Sequence, residues 1–475
     1  MDSRQNPMEL RPPSEMATGE PPIDHHQPMG TNVKERKYVP PNGGYGWVCV
    51  VCVFLINAHT WGLNFAYGVF LDYFLAKNIY PNALDYAFIG GLSISQALIV
   101  SPLINITSRL WGTRATLSIG LVLLTASLIG ASFATQAWHL FLSQGLCFGW
   151  GLGFLYVGSA NIIPQWFSTR RSLANGICAA GAGFGGLVYS LASSSLLERA
   201  GPPLTFRILA ICEFITNLVC IILVKDRNQV AKPNQNAFNY RLLKRKEIWL
   251  VLGWGCLSEL GYTVLLFSLP NYARRIDLNA QQGSIVGALL NLGLMIGRPI
   301  VGHSSDTLGR INMAMLTTGV CGLMCLLIWI FAKNFVVLCF FAILAGTVCG
   351  TFWSTIAPVG ADVAGLKELP STLSIVLMLM VLPTTFAESI ALGLRRSTGD
   401  IYLDAQIFTG CMFIGASVCT FFLRSWKIGQ NEKEANAKRE HERGDRQSRP
   451  SLLERRHSAH SDKTILRRLF QVKAV

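Results

Sequence analysis

The sequence predicts an all-α integral membrane protein with twelve transmembrane helices in two six-helix halves, and three observations predict it. Of its 475 residues, 51% are hydrophobic and only 14% are charged, a composition unlike that of soluble globular proteins. Apolar runs of about twenty residues recur along the chain, and each is long enough to cross a hydrocarbon core of about 30 Å. One long polar and basic interior stretch, residues 225–247, separates these runs into two sets.

The N-terminal half is predicted to cover residues 43–224. Residues 1–42 before it are polar and Pro-rich without apolar periodicity, which predicts a disordered cytoplasmic tail and no secretory signal peptide. Glycines in the fourth and fifth apolar runs are spaced so that neighbouring helices can pack closely. The six spans are expected at about residues 43–74, 86–106, 115–134, 138–162, 172–196 and 204–224.

The C-terminal half is predicted to cover residues 248–423, and a basic tail occupies residues 424–475. Basic residues collect in the 225–247 linker, in short loops on the same side and in the tails, so the positive-inside rule places all of these in the cytoplasm. The same distribution accounts for the net charge of +14 without a nucleic-acid partner. We expect the protein to lie in the plasma membrane, with the vacuolar membrane as the alternative. The spans are expected at about residues 248–270, 283–302, 312–332, 335–358, 371–394 and 402–423.

A turn motif recurs after the second span of each half. Residues 302–310 read Gly-His-Ser-Ser-Asp-Thr-Leu-Gly-Arg, and in the first half Gly112 is followed by Arg114, with Arg109 at the aspartate position. This G-x-x-x-D-x-x-G-R pattern resembles the helix-connecting motif of the major facilitator superfamily. The resemblance implies that fold, with a substrate site near the midplane between the halves. It also implies a gating role for Gly302, Asp306, Gly309, Arg310 and the loop arginines Arg170 and Arg171.

Two further stretches resemble signatures of the monocarboxylate transporter family. Residues 42–47, Asn-Gly-Gly-Tyr-Gly-Trp, open the first span, with Asn42 where the family has an acid. Residues 166–181 begin with Trp-Phe, continue with two arginines and Leu-Ala-Asn-Gly, and end with Ala-Gly. The resemblance covers all twelve spans but not the tails. The sequence as a whole resembles the fungal members of the family. It implies a secondary transporter of a small organic solute.

The resemblance also implies an anion-binding arginine without the family's proton-coupling pair. Arg298-Pro299 in the eighth span matches the family's arginine. The positions at which lactate carriers have a lysine and an aspartate hold Phe65 and Leu294. We therefore expect a larger or more hydrophobic solute than lactate.

Arg298 is the main candidate for substrate binding, because a guanidinium can hold a carboxylate through two charge-assisted hydrogen bonds. The alternative is that Arg298 snorkels to the nearby cytoplasmic end of its helix. In the first span Asn57 and Asn64 share one helix face, so they point towards protein rather than lipid. The remaining substrate-binding candidates are Asn291, Tyr262 and Trp353.

Acids at membrane depth are candidates for proton coupling, with a structural hydrogen bond to a neighbouring helix as the alternative. Glu259 and Glu388 are such acids, and His59 is a third group able to titrate near neutral pH. Glu213 is instead expected to pair with Arg207 within the N-terminal half.

The sequence contains no catalytic constellation and no cluster typical of a metal or cofactor site, so we expect a transporter and not an enzyme. The substrate is expected to be an organic acid or a hydrophobic secondary metabolite, with efflux as one direction of transport. The alternatives are a nutrient sensor with a transporter fold and an importer of a riboflavin-like nutrient. The expected partners are this solute and the lipid bilayer, and the sequence leaves an ancillary membrane subunit open.

Overall fold

The computed structural model describes residues 41–77, 83–160, 162–167, 170–227, 240–365, 368–396 and 400–447, and their regular structure is helical. The predicted N-terminal tail, apart from its last two residues, and the last part of the C-terminal tail lie outside these ranges. Ten helical stretches in the described chain are long and apolar enough to cross a membrane. One of them bends sharply at Gly201 and contains two spans, and a shorter apolar helix at residues 88–99 completes a set of twelve.

The predicted fold class is thereby confirmed. The first six helices are α1 (Gly46–Lys77), α2 (83–111), α3 (113–132), α4 (Ala137–Trp166), α5 (171–200) and α6 (202–223). The second six are α7 (Lys246–Arg275), α8 (Ala280–Leu308), α9 (Arg310–Trp329), α10 (Phe335–Ala364), α11 (369–393) and α12 (Leu403–Gln447). We call the end of the bundle at which α1 and α7 begin the linker end, and the end at which they finish the far end.

Several helices extend beyond their predicted ends, α8 and α12 among them. The eighth span was expected to stop near residue 302, but α8 continues to Leu308. The twelfth was expected to stop at residue 423, but α12 continues to Gln447 through the start of the predicted tail. That extension consists largely of good helix formers with opposite charges four residues apart, such as Glu434 and Lys438, which explains its helical structure.

The two copies of the turn motif adopt related backbone structures. Gly112, between α2 and α3, has φ 82°, and Gly309, between α8 and α9, has φ 95°. Both values lie in the region that favours glycine, so each copy requires this residue at its turn. The arginine of each copy binds a neighbouring helix end: Arg114 donates to the carbonyl oxygen of Val224 at 3.1 Å, and Arg310 to Asp362 at 2.8 Å.

The two family signatures meet at the linker end. An added Cβ on Gly46 would lie 3.0 Å from atoms of both Trp166 and Phe167. The neighbouring Tyr45 donates its hydroxyl to the carbonyl oxygen of Leu223 at 2.8 Å. Signature residues therefore join the start of α1 to the end of α4 and to the end of α6.

Glycines bring the halves into backbone contact along α5 and α8. An added Cβ on Gly183 would lie 2.4 Å from the backbone nitrogen of Met295, and one on Gly176 would lie 2.9 Å from the carbonyl oxygen of Arg298. The opposite face of α5 packs equally closely on α1, where an added Cβ on Gly185 would lie 2.0 Å from the carbonyl oxygen of Ala58. The predicted glycine cluster therefore places α5 directly between α1 and α8.

Candidate functional site

Arg298 lies deep inside the bundle. It precedes the end of α8 by ten residues, almost three helical turns, and only 5% of its surface is exposed. Its Nη1 donates to the backbone carbonyl oxygen of Ala179 on α5 at 2.6 Å, and its Nη2 donates to the Tyr262 hydroxyl on α7 at 3.0 Å. The snorkelling alternative is therefore wrong, because it assumed a helix end about one turn away.

The positive charge of Arg298 has no acidic partner within ion-pair distance. None of the ion pairs among the described residues includes it. Glu259 is close enough to interact electrostatically, and the Phe65 ring centroid lies 5.6 Å from Cζ of Arg298. A ring face compensates only part of the cost of burying a cation, so this position favours the binding of an anion.

A cavity adjoins Arg298 and receives side chains from both halves. Its volume of about 20 Å³ has room for a water molecule but not for an organic solute, so a solute needs the halves to move apart. Four aromatic rings form much of the wall, and Trp61 lies 5.4 Å, centroid to centroid, from both Tyr156 and Trp353. The lining residues are Asn57, Trp61, Phe65, Tyr156, Ala179, Arg298 and Trp353.

Three polar atoms of the cavity lining are buried without a hydrogen-bond partner in the described part of the chain. They are the Nε of Arg298, the indole nitrogen of Trp61 and the Oδ1 of Asn57. The first two are donors and the third is an acceptor. Because buried polar atoms are normally hydrogen-bonded, their convergence on one cavity is typical of a ligand site.

Glu259 lies behind the cavity wall. Its Oε2 accepts a 3.0 Å hydrogen bond from the indole N–H of Trp353, and its Oε1 accepts one of 3.4 Å from Thr263. Both carboxylate oxygens are thus engaged, and the residue is only 1% exposed. Glu259 therefore holds the indole N–H of Trp353 from behind the cavity.

Asn64, Asn291 and His59 are among the predicted site residues that do not line the Arg298 cavity. Asn64 donates a hydrogen bond to Ser93 at 2.7 Å beside a separate cavity of about 10 Å³. Asn291 donates to the carbonyl oxygen of Gly287 at 3.0 Å. His59 is hydrogen-bonded to the Tyr189 hydroxyl on α5.

The other buried acids have partners remote from the cavity. Glu388 accepts a hydrogen bond from Ser268 at 2.7 Å. Glu213 binds Thr125 at 2.9 Å and Asn217 at 2.8 Å, so the expected pair with Arg207 is wrong. Residues six apart do not share a helix face, which explains why that pair does not form.

The second motif copy forms an ion cluster at the linker end. Arg310 lies 2.8 Å from Asp362 on α10 and 3.9 Å from Asp306, while Gly302 lies within α8 and Gly309 at the turn. Arg170 immediately precedes α5, and the side chain of Arg171 lies outside the described part. The motif pattern contained no indication of Asp362, because that residue is more than fifty positions away in sequence.

Sequence reasoning also missed Trp61, Tyr156 and Ala179. Trp61 follows Thr60, where α1 is interrupted by a non-helical conformation (φ −109°, ψ −82°), a feature of the structure and not of the sequence. Tyr156 and Ala179 become site residues only through the packing of α4 and α5 around α1 and α8.

Comparisons with known proteins agree with this architecture. The family model for the Major Facilitator Superfamily matches residues 50–388 and 255–470. The chain is 33% identical over 403 residues to "Probable transporter MCH2" of Saccharomyces cerevisiae, covering 82% of this chain and 85% of the relative. It is 25% identical to "Monocarboxylate transporter 10" of Mus musculus (80% and 79% covered) and 24% identical to "Fujikurins efflux protein" of Gibberella fujikuroi (80% and 83% covered).

The helical membrane architecture, the repeated turn and these matches agree on one family. The chain belongs to the major facilitator superfamily, among the fungal and animal transporters that include the monocarboxylate transporters.

Proposed function

We propose that the protein is a secondary transporter of a small organic anion with a flat, largely apolar body, and that Arg298 binds its carboxylate. The observation that carries this proposal is a buried arginine with no acidic partner within ion-pair distance, beside a cavity that both halves line. Its free Nε–H and the free indole N–H of Trp61 are donors suited to a carboxylate.

The aromatic wall supports the second part of the proposal. Trp61, Tyr156, Trp353 and Phe65 offer ring faces and edges to a bound solute, and such surfaces favour planar apolar groups. Asn57 offers an acceptor for a hydroxyl or amide on the same solute. An organic acid and an acidic secondary metabolite both fit this description, and the name of the Gibberella relative, an efflux protein, is consistent with export of the latter.

The site is also placed where binding can affect movement between the halves. Arg298 of the C-terminal half donates to the Ala179 carbonyl of the N-terminal half, so a bound carboxylate competes for the same guanidinium. Exchange of that hydrogen bond for one to the solute loosens the interface at the level of the site. Transport by alternating exposure of such a site requires this kind of coupling.

The experiment uses the full-length protein in detergent and in liposomes, with benzoate as the probe. Tryptophan fluorescence should report binding of benzoate but not of benzamide, which has the same shape without the charge. Arg298→Leu should lose this response, whereas Arg207→Leu, which removes an arginine remote from the cavity, should keep it. Equal responses to benzoate and benzamide would refute the anion site. Binding without uptake of radiolabelled benzoate into liposomes would favour the sensor alternative.

A further inference from the structure

Three polar side chains lie on one face of α7, each three residues after the last. We call Ser268, Asn271 and Arg274 the α7 ladder. Residues at this spacing lie above one another along a helix, so the ladder rises from the interior of the bundle to the far end.

Each member of the ladder binds a different helix. Ser268 donates to Glu388 on α11 at 2.7 Å, and Asn271 accepts from the hydroxyl of Tyr402, at the start of α12, at 2.6 Å. Arg274 lies 2.6 Å from Asp72 on α1. The contacts with Asp72 cross between the halves, and the side chain of Asn271 also interacts with it. Arg274 is the member of the ladder that reaches solvent, with 32% of its side chain exposed.

Two carboxylate oxygens along this line are buried without a hydrogen-bond partner in the described ranges. They are Oε2 of Glu388 at the inner end and Oδ1 of Asp72 at the outer end. A carboxylate with one oxygen lacking a hydrogen bond is costly to bury, and binding of a proton removes its charge. The inner oxygen therefore needs a ligand that the protein itself does not supply.

The groups around Glu388 are few. Ser268 faces it from α7, and Tyr402 and Arg395 lie close enough to interact electrostatically. On its other side α11 packs on α2 through close contact of Gly91 with the carbonyl oxygen of Thr385. Among the described residues, no charged side chain of α2 is found to interact with Glu388. The other charges near the line are Arg274 and Asp72 at its outer end and Arg275 near Tyr402.

We propose that Glu388 is a proton-binding site of this transporter, separate from the Arg298 cavity and reached from the far end along the α7 ladder. The proposal rests on the proposed transport function. A proton from water forms an O–H bond at Oε2 of Glu388, and the same bond breaks when the proton leaves. Of the two acids expected to couple protons, Glu259 has both oxygens engaged by Trp353 and Thr263, so Glu388 is the acid with a free position.

The Asp72–Arg274 pair is the lid of this route. Asp72 belongs to the N-terminal half and Arg274 to the C-terminal half, so the pair breaks when the halves part at the far end. Water then follows the ladder past Asn271 and Tyr402 to Glu388. Closure of the pair isolates Glu388 from that side, so the far end controls access to the proton site.

The first experiment needs no substrate. Infrared difference spectra of the purified protein between alkaline and acidic buffer should show the carbonyl stretch of a protonated acid. Glu388→Gln should lose this band, and Glu388→Asp, which keeps an acid, should retain it at a shifted frequency. Glu213→Gln, which removes a buried acid of the N-terminal half, is the matched control and should leave the band intact. A band unchanged by Glu388→Gln would overturn the proposal.

Exchange of the same band in heavy water tests the lid. Asp72→Asn should speed the deuterium shift of the Glu388 band, because it weakens the contact that covers the ladder. An unchanged exchange rate would refute the route, even if Glu388 binds the proton.

A liposome experiment then separates this proposal from the proposed function. In wild-type protein an imposed pH gradient should drive benzoate accumulation. In Glu388→Gln that accumulation should fall to the level of protein-free liposomes, while exchange of internal for external benzoate continues. Retained gradient-driven accumulation would count against Glu388. If the wild-type protein shows neither gradient-driven accumulation nor exchange of benzoate, only the proposed substrate class is refuted. The infrared result still decides whether Glu388 binds the proton.

Discussion

Arg298 of α8 donates a 2.6 Å hydrogen bond to the backbone carbonyl oxygen of Ala179 on α5. The side chain proposed to bind the substrate therefore also joins the two halves. Because the acceptor is a backbone oxygen, no substitution at position 179 removes it, and the role of the contact has to be tested from the arginine.

Arg298→Lys should retain partial transport with weaker binding. Lysine keeps the charge but not the planar fork, so we expect the half-saturation concentration for benzoate to rise about tenfold or more. Arg298→Leu should lose about 1.5–3 kcal/mol of carboxylate binding and with it measurable uptake. Liposome uptake at matched protein content measures both. Wild-type kinetics in Arg298→Leu would remove the reason for proposing an anionic substrate.

Glu259→Leu should weaken binding by misplacing Trp353. The leucine leaves the indole N–H of Trp353 unpaired, which costs about 1–3 kcal/mol, and the ring is then no longer held against the cavity. Glu259→Gln keeps an acceptor oxygen and should be milder. In a double-mutant cycle, Glu259→Leu should add little to Trp353→Phe, because both changes remove the same hydrogen bond. Independent, additive losses would show that Glu259 acts by another route.

Gly183→Ala should destabilise the contact between the halves. The added methyl would lie 2.4 Å from the backbone nitrogen of Met295, and overpacking of this kind costs about 1–3 kcal/mol. Gly393→Ala is the control, because an added Cβ there meets nothing within 4 Å. Thermal unfolding in detergent should show a lower midpoint for the first variant only. Equal midpoints would contradict the close α5–α8 contact.

Cysteine labelling should place Lys244 and Lys333 on opposite sides of the membrane. Lys244 lies in the linker before α7, and Lys333 lies between α9 and α10. Lys244→Cys should react only from the cytoplasm and Lys333→Cys only from outside, in a background with Cys212 and Cys411 replaced by serine because both are exposed. Reaction of Lys244→Cys in intact cells would reverse the predicted orientation.

Much of the fold was predictable from local sequence, since apolar length and the repeated glycine turn are properties of short segments. Arg298 was also found this way, although its depth was misjudged, because the polar residues from His303 onward suggested a turn and not a continued helix. The walls of the site were less predictable. Trp61 and Tyr156 resemble ordinary packing aromatics until α1 and α4 are placed side by side. Glu388 and Glu259 looked equivalent in sequence, and only their partners distinguish them.

Where α5 meets α8, glycines of α5 let its backbone lie directly against α8 close to the level of Arg298. Because the glycines on the α5 side of this contact carry no side chains that interlock with α8, the contact suits a fulcrum. A fulcrum placed midway gives both openings similar mechanical cost, and it builds no preference for either direction into the protein. Whether such a carrier imports or exports its solute is then decided by the gradients of the solute and of protons across the membrane.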